Sequence, residues 1–175
     1  MKKSLSAFAF VGFIVSLSAS SVLADEPLVT FSGGIGVIPV SNVTVDATTG
    51  AVTVSRNIVR GVNPPGQIWR IGDLKATVKI DGHISVDGLG LLLAGGNNIG
   101  TNANQSVRAR LFCGAAVHQS DLVALEPNGD FRIDDILTPV SPTVEAVPPS
   151  PCNTPVLLIL SSGGNWFAAG IPVLK

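Results

Sequence analysis

The sequence predicts an all-β chain, an antiparallel two-sheet β-sandwich of Ig-like or Greek-key layout with about 9–11 short strands and one disulfide. Three observations predict it. Apolar and polar residues alternate in short runs, the period of a half-buried strand. Turn residues bound every run, with 19 glycines and 12 prolines in 175 residues. No window long enough for a helix carries apolar positions at i, i+3, i+4 and i+7 between caps.

The first residues read as an export signal. Lys2 and Lys3 open the chain, an apolar run follows over residues 5–17, and Val22-Leu23-Ala24 places short residues before a cut. Cleavage after Ala24 is expected, which divides the chain into a leader, residues 1–24, and a single β-sandwich domain, residues 25–175. A membrane anchor needs roughly 20 apolar residues, and this run is broken by Ser16, Ser18, Ser20 and Ser21. Asp25 is not the cysteine that a lipid anchor would require. The expected location is therefore secreted or periplasmic, with no transmembrane segment in the mature chain.

Charge narrows the partners. The chain has 11 basic and 12 acidic residues. The leader removes Lys2 and Lys3 and no acid, so the mature part is more acidic than the whole. With no basic patch, neither nucleic acid nor anionic lipid is an expected partner. A chain of this size buries roughly 68–70% of its unfolded surface, enough for one core.

Cys113 and Cys152 are the only cysteines. In an oxidising compartment such a pair closes and persists. Cys113 ends a strand-like run and Cys152 follows the cluster Pro148-Pro149-Ser150-Pro151. A bridge across a loop of this length stabilises by about 4 kcal/mol at most. A metal or redox pair is disfavoured, because the two residues are far apart and no histidines cluster beside them.

The strands follow in order. Val43 and Val45, then Ala47-Thr48-Thr49-Gly50, then Val52 and Val54 form one hairpin pattern. Leu74, Ala76, Val78 and Ile80 alternate with Lys75, Thr77 and Lys79 ahead of Asp81-Gly82, with Ile84 and Val86 beyond. Asp-Gly accepts the positive φ angles of a tight two-residue turn. Val107, Ala109, Leu111 and Cys113 point inward while Arg108 and Arg110 point outward. Val123 and Leu125 lead into Pro127-Asn128-Gly129, and Phe131 and Ile133 lead out, a third hairpin pattern. Residues 156–160 are apolar at every position, as in a strand buried on both faces. Ser161-Ser162-Gly163-Gly164-Asn165 then turns into a last or penultimate strand at Trp166-Phe167-Ala168-Ala169. Two long connections, residues 95–104 and 139–155, suit no regular element. A transmembrane barrel would carry aromatic girdles, whereas this chain has no Tyr and ends on Lys175.

The search for chemistry is short. The two histidines, His83 and His118, are far apart and are expected at the surface. Asp130, Asp134 and Asp135 form the densest acidic cluster and are the weak calcium candidates, without the spacing of an EF-hand loop. There is no Gly-x-Ser-x-Gly elbow. Trp69, Arg70 and Trp166 are the candidate binding surface, with core packing as the alternative for both tryptophans. The stretch 60–69, holding Pro64-Pro65, is either a rigid binding loop or a crossover between sheets.

The ordered features Trp69…Leu74-Lys75-Ala76-Thr77-Val78, Asp81-Gly82, Val107…Cys113, Leu125-Glu126-Pro127-Asn128-Gly129-Asp130, Pro151-Cys152 and Trp166-Phe167-Ala168-Ala169 resemble a group of exported bacterial β-sandwich proteins. The resemblance covers roughly residues 58–170 and implies a bacterial source and no activity. The strand–Asp-Gly–strand layout is also similar to the chordin-type repeat domain. The histidine motif of that family is missing, with Ala115-Ala116-Val117-His118 its nearest piece.

These readings lead to an expectation of a non-catalytic binding or structural module, without cofactor, whose partner is an extracytoplasmic protein or glycan. The rivals are a small secreted hydrolase with a site between loops 95–104 and 139–155, and a surface or matrix component that self-associates through a sheet edge.

Overall fold

The computed structural model describes residues 26–173. The expected leader and its cut before Asp25 lie outside the described residues. The described chain is all-β, with 0% helix and 51% strand. Among the described residues no helix is long and apolar enough to cross a membrane.

Fourteen strands follow one another: β1 (Pro27–Gly36), β2 (Val40–Val45), β3 (Val52–Arg56), β4 (Trp69–Arg70), β5 (Asp73–Lys79), β6 (His83–Leu89), β7 (Leu92–Leu93), β8 (Ser106–Cys113), β9 (Ala116–Gln119), β10 (Val123–Ala124), β11 (Phe131–Ile136), β12 (Thr138–Pro139), β13 (Val156–Ser161) and β14 (Trp166–Pro172). Ten of them hydrogen-bond as one sheet in the order β11-β6-β5-β1-β14-β13-β8-β9-β12, with β10 also pairing β8. The expected all-β fold thus takes the form of one main sheet, nearly barrel-like in its curl, with β2–β3 and β4–β7 as two further two-stranded pairs. The reason is visible at its edges. The edge strands β11 and β12 are separated in sequence by Leu137 alone, which is fully buried and donates its N–H to the Gly82 carbonyl. One residue cannot span a gap between distant edges, so the two edges of the sheet must meet there.

The interior is filled by side chains from the strands that alternate in sequence. Leu74, Ala76, Val78, Ile84 and Val86 are buried from β5 and β6, and Val107, Ala109 and Leu111 from β8. The hairpin at Asp81-Gly82 forms, with Gly82 at φ 88°. Its link is three residues, 80–82, rather than two, closed by the Gly82 N–H on the Lys79 carbonyl at 3.0 Å. Leu157, Leu158, Ile159 and Leu160 of β13 are all fully buried, as a strand apolar at every position requires.

Two parts depart from expectation. The turn at 126–130 forms, with the Gly129 N–H on the Glu126 carbonyl. Its flanking strands, however, pair elsewhere: β10 joins β8, and β11 joins β6. The turn lies on the seam of the curled sheet, so the chain crosses the seam there instead of doubling back. The second departure is β1, which alternation does not single out, although it sits between β5 and β14. Its glycines hide it. Gly33 is at φ 89° where the register shifts, and a side chain at Gly36 would overlap the Trp69 carbonyl.

Cys113 and Cys152 form the expected disulfide, with Cα atoms 4.7 Å apart. The bridge fixes the end of the proline-rich connection. That connection packs beside the β5–β6 turn, where Pro148 and Val147 approach Gly82.

Candidate functional site

The expected site residues disperse. Trp69 and Trp166 are both buried, so neither offers an exposed indole face for a sugar. Trp69 stacks on Phe167 with ring centroids 4.1 Å apart. The Trp166 indole N–H donates to the Asn57 carbonyl at 2.9 Å. Of the three only Arg70 is exposed. Both tryptophans are core residues because β4 and β14 lie against the filled interior.

The acidic cluster also divides. Asp130 accepts from the Gly90 N–H and the Asn128 amide, Asp134 pairs with His83 at 2.9 Å, and Asp135 accepts from the Asp121 N–H. Asp134 and Asp135 are adjacent on a strand and therefore face opposite ways. Among the described residues no three His, Cys, Asp or Glu side chains gather as a metal site. The residues proposed for calcium thus do not converge.

His118 corrects a second expectation, since it is fully buried rather than exposed. It lies on β9 opposite Leu111 and faces the interior with it. Its Nε2–H donates to the Glu145 carbonyl at 2.9 Å, and its Nδ1 is buried without a partner. That bond ties the proline-rich connection to the core.

The two long loops lie at opposite ends of the sheet. Residues 95–104 run into the start of β8, and Asn102 caps the Leu125 and Glu126 carbonyls there. The 139–155 connection is bridged to Cys113, the last residue of β8. Eight strand residues separate these ends by about 23 Å at about 3.3 Å per residue. A site shared between the two loops is not what this geometry builds.

A shallow depression beside the Trp69–Phe167 stack is rimmed by Gln67, Gln105, Ser162 and Asn165. Its amides and hydroxyls are hydrogen-bonding groups open to a ligand. The stretch 60–69 is a cover rather than a free loop. Arg60 donates to the Thr154 carbonyl at 2.9 Å, Trp166 N–H to the Asn63 carbonyl at 3.1 Å, and Val62 is buried.

The feature that stands out is β2 and β3. Among the described residues they pair only with each other, as a two-stranded ribbon. Every residue of both strands is exposed. Val43 faces Val54 and Val45 faces Val52, while Thr44 faces Thr53 and Asn42 faces Ser55. Residues directly opposite share a face. One face of the ribbon is therefore four valines, each 54–65% exposed, and the other is hydroxyls and an amide. Burying a valine completely is worth roughly 1.5–3 kcal/mol, and here most of that is forgone at four positions. The ribbon is held at both ends. At its tip the Asp46 carboxylate accepts from the Thr48 and Thr49 N–H groups, and Gly50 takes φ 71°. At its root the Asn57 N–H donates to the Pro39 carbonyl, and its side chain to Ile38. An isolated hairpin is marginal in water. These clamps hold one together with its apolar face uncovered among the described residues.

The period-two pattern at 43–54 predicts the pairing and the two faces. Nothing in it tells that the valine face meets no core, so the exposed arm is missed from sequence. No protein-family model matches the chain, and no curated protein or solved structure is matched.

Proposed function

We propose that this chain is an exported, non-catalytic binding or structural module that acts through the β2–β3 arm. The single observation that carries the reading is the four-valine face, apolar and exposed on a clamped ribbon that does not serve the core. An exposed apolar patch on a folded domain marks an interaction site. Valines offer shape and burial but no hydrogen bonds, so the fitting partner is an apolar protein surface and not a glycan.

Export to a secreted or periplasmic location, through cleavage of residues 1–24, belongs to the same reading. The disulfide supports it, because such bonds persist in oxidising compartments. The curled sheet then acts as a sandwich-like support, rigid behind the arm.

The test is in-situ photocrosslinking in the native envelope, with a benzoylphenylalanine at position 54 and another at the exposed body position 122. The reading expects protein adducts from position 54 that are absent from 122. Identical adduct patterns from the two positions would sink it.

A further inference from the structure

Resting on that reading, we infer that the partner of the arm is a second copy of this chain. The two arms stack valine face on valine face, antiparallel, with the tip of each over the root of the other.

Area makes the first argument. The four valines, each 54–65% exposed, form an apolar patch on the order of 300 Å², at the lower end of the largest patches on typical monomers. Ile35, Ile38, Val40 and Ile58 at the root are also exposed. They extend the exposed apolar surface toward the roughly 800 Å² that one partner brings to a standard interface. A second copy supplies the same area and the same chemistry, since a two-fold contact is self-complementary.

Stacking is preferred over edge pairing by the same count. Joining two arms through their free backbone edges would replace hydrogen bonds that water already makes and would leave the valines exposed. Stacking removes them from water, as the two inner faces of a small sandwich.

Charge sets the direction. The ribbon carries an anion at its tip, Asp46, and a cation at its root, Arg56, and no charge between them. Arg56 follows Val52 and Val54 in alternation, and its guanidinium donates to the Pro64 carbonyl of the same chain at 2.6 Å, which fixes the cation at the root. A stack with tips together would place two Asp46 carboxylates side by side. The antiparallel stack places each Asp46 near the Arg56 of the other copy, and lays each tip over the exposed Ile38 and Ile58. Opposite charges matched across an interface fix its register in this way.

The experiment is sedimentation equilibrium of the full oxidised chain over about a hundredfold range of concentration, where a dimer reveals itself by mass action. Val45→Asp/Val54→Asp is run beside it, with thermal melting as the check that the body is folded. A native chain carrying benzoylphenylalanine at position 45 reports the direction. Expected are a concentration-dependent dimer, dissociation strengthened about tenfold or more in the double variant, and crosslinks from position 45 to the root of the other copy. A native chain that stays monomeric throughout overturns the second-copy inference, and arm adducts to another protein in the envelope would then still uphold the binding reading. A dimer that the double variant leaves unchanged overturns the inference as well. Crosslinks joining tip to tip overturn the antiparallel arrangement.

Discussion

Val43 and Val54 lie opposite each other across the β2–β3 ribbon, on one face, each 54% exposed. The same cross-strand relationship joins Ala76 and Val86 on β5 and β6, where both side chains are buried. The same local pattern thus meets unequal burial in the two hairpins.

The difference predicts opposite responses to truncation. Val43→Thr and Val54→Thr, measured at concentrations low enough to keep the chain monomeric, change stability by about 0.5 kcal/mol or less, as surface substitutions do. Ile84→Ala, deep in the core, costs about 2–5 kcal/mol. Urea unfolding followed by the fluorescence of the two buried tryptophans reads both. A large loss from the ribbon variants would mean that the arm packs on the body after all.

The Cys113–Cys152 bridge is expected to hold the proline-rich connection onto the sheet. Cys113→Ser with Cys152→Ser lowers stability by up to about 4 kcal/mol. Hydrogen exchange in residues 140–151 rises first, before that of β13. Equal melting of the oxidised and bridge-free forms would contradict the assignment.

Trp166 links the core to the arm, through its indole N–H on the carbonyl of Asn57, the residue that closes the root. Trp166→Phe keeps most of the buried ring and removes the donor. The expected cost is about 1 kcal/mol, with faster amide exchange in residues 38–58. Unchanged exchange there would show that the root is clamped without it.

The arm tip should respond to acid. The Thr49 N–H, then the Thr48 N–H and the Thr49 side chain, hold the Asp46 carboxyl below the usual carboxylate range, and burial opposes them slightly. A folded pKa below the unfolded one means that the tip is fully stabilised above the unfolded value of about 3.9 and loses that support as pH falls through the lower folded value. The Thr48 and Thr49 amide resonances should therefore stay constant near neutral pH and move only in strong acid. Asp46→Ala should show the loosened tip at every pH.

Much of the fold is legible in the residues. The Leu74–Val86 alternation around Asp81-Gly82 specifies a hairpin with one buried face, and the unbroken apolar run at 156–160 specifies a strand covered on both sides, as it is from Leu157 onward. β1 is obscured because Gly33, Gly34 and Gly36 serve close backbone approach and a bulge, which erases the alternation. The 122–133 pattern misleads because its turn lies at a seam, where two flanking strands find different neighbours. Among the candidate site residues, only the cysteine pair is brought together. Trp69 and Trp166 follow the alternative reading of core packing, and His118 is buried because its strand, β9, turns it inward beside Leu111.

By itself the sequence determined the all-β character, the local hairpins and the identity of the two bridged cysteines. Each of these depends on neighbours within a few residues or on a count of available partners. Only the tertiary structure decided that ten strands close into one curled sheet, and that Val43, Val45, Val52 and Val54 remain outside it. Periodicity states that a strand has an apolar face. Whether that face finds a core depends on the path of the distant chain, because hydrophobic burial is non-directional and any apolar surface can satisfy it.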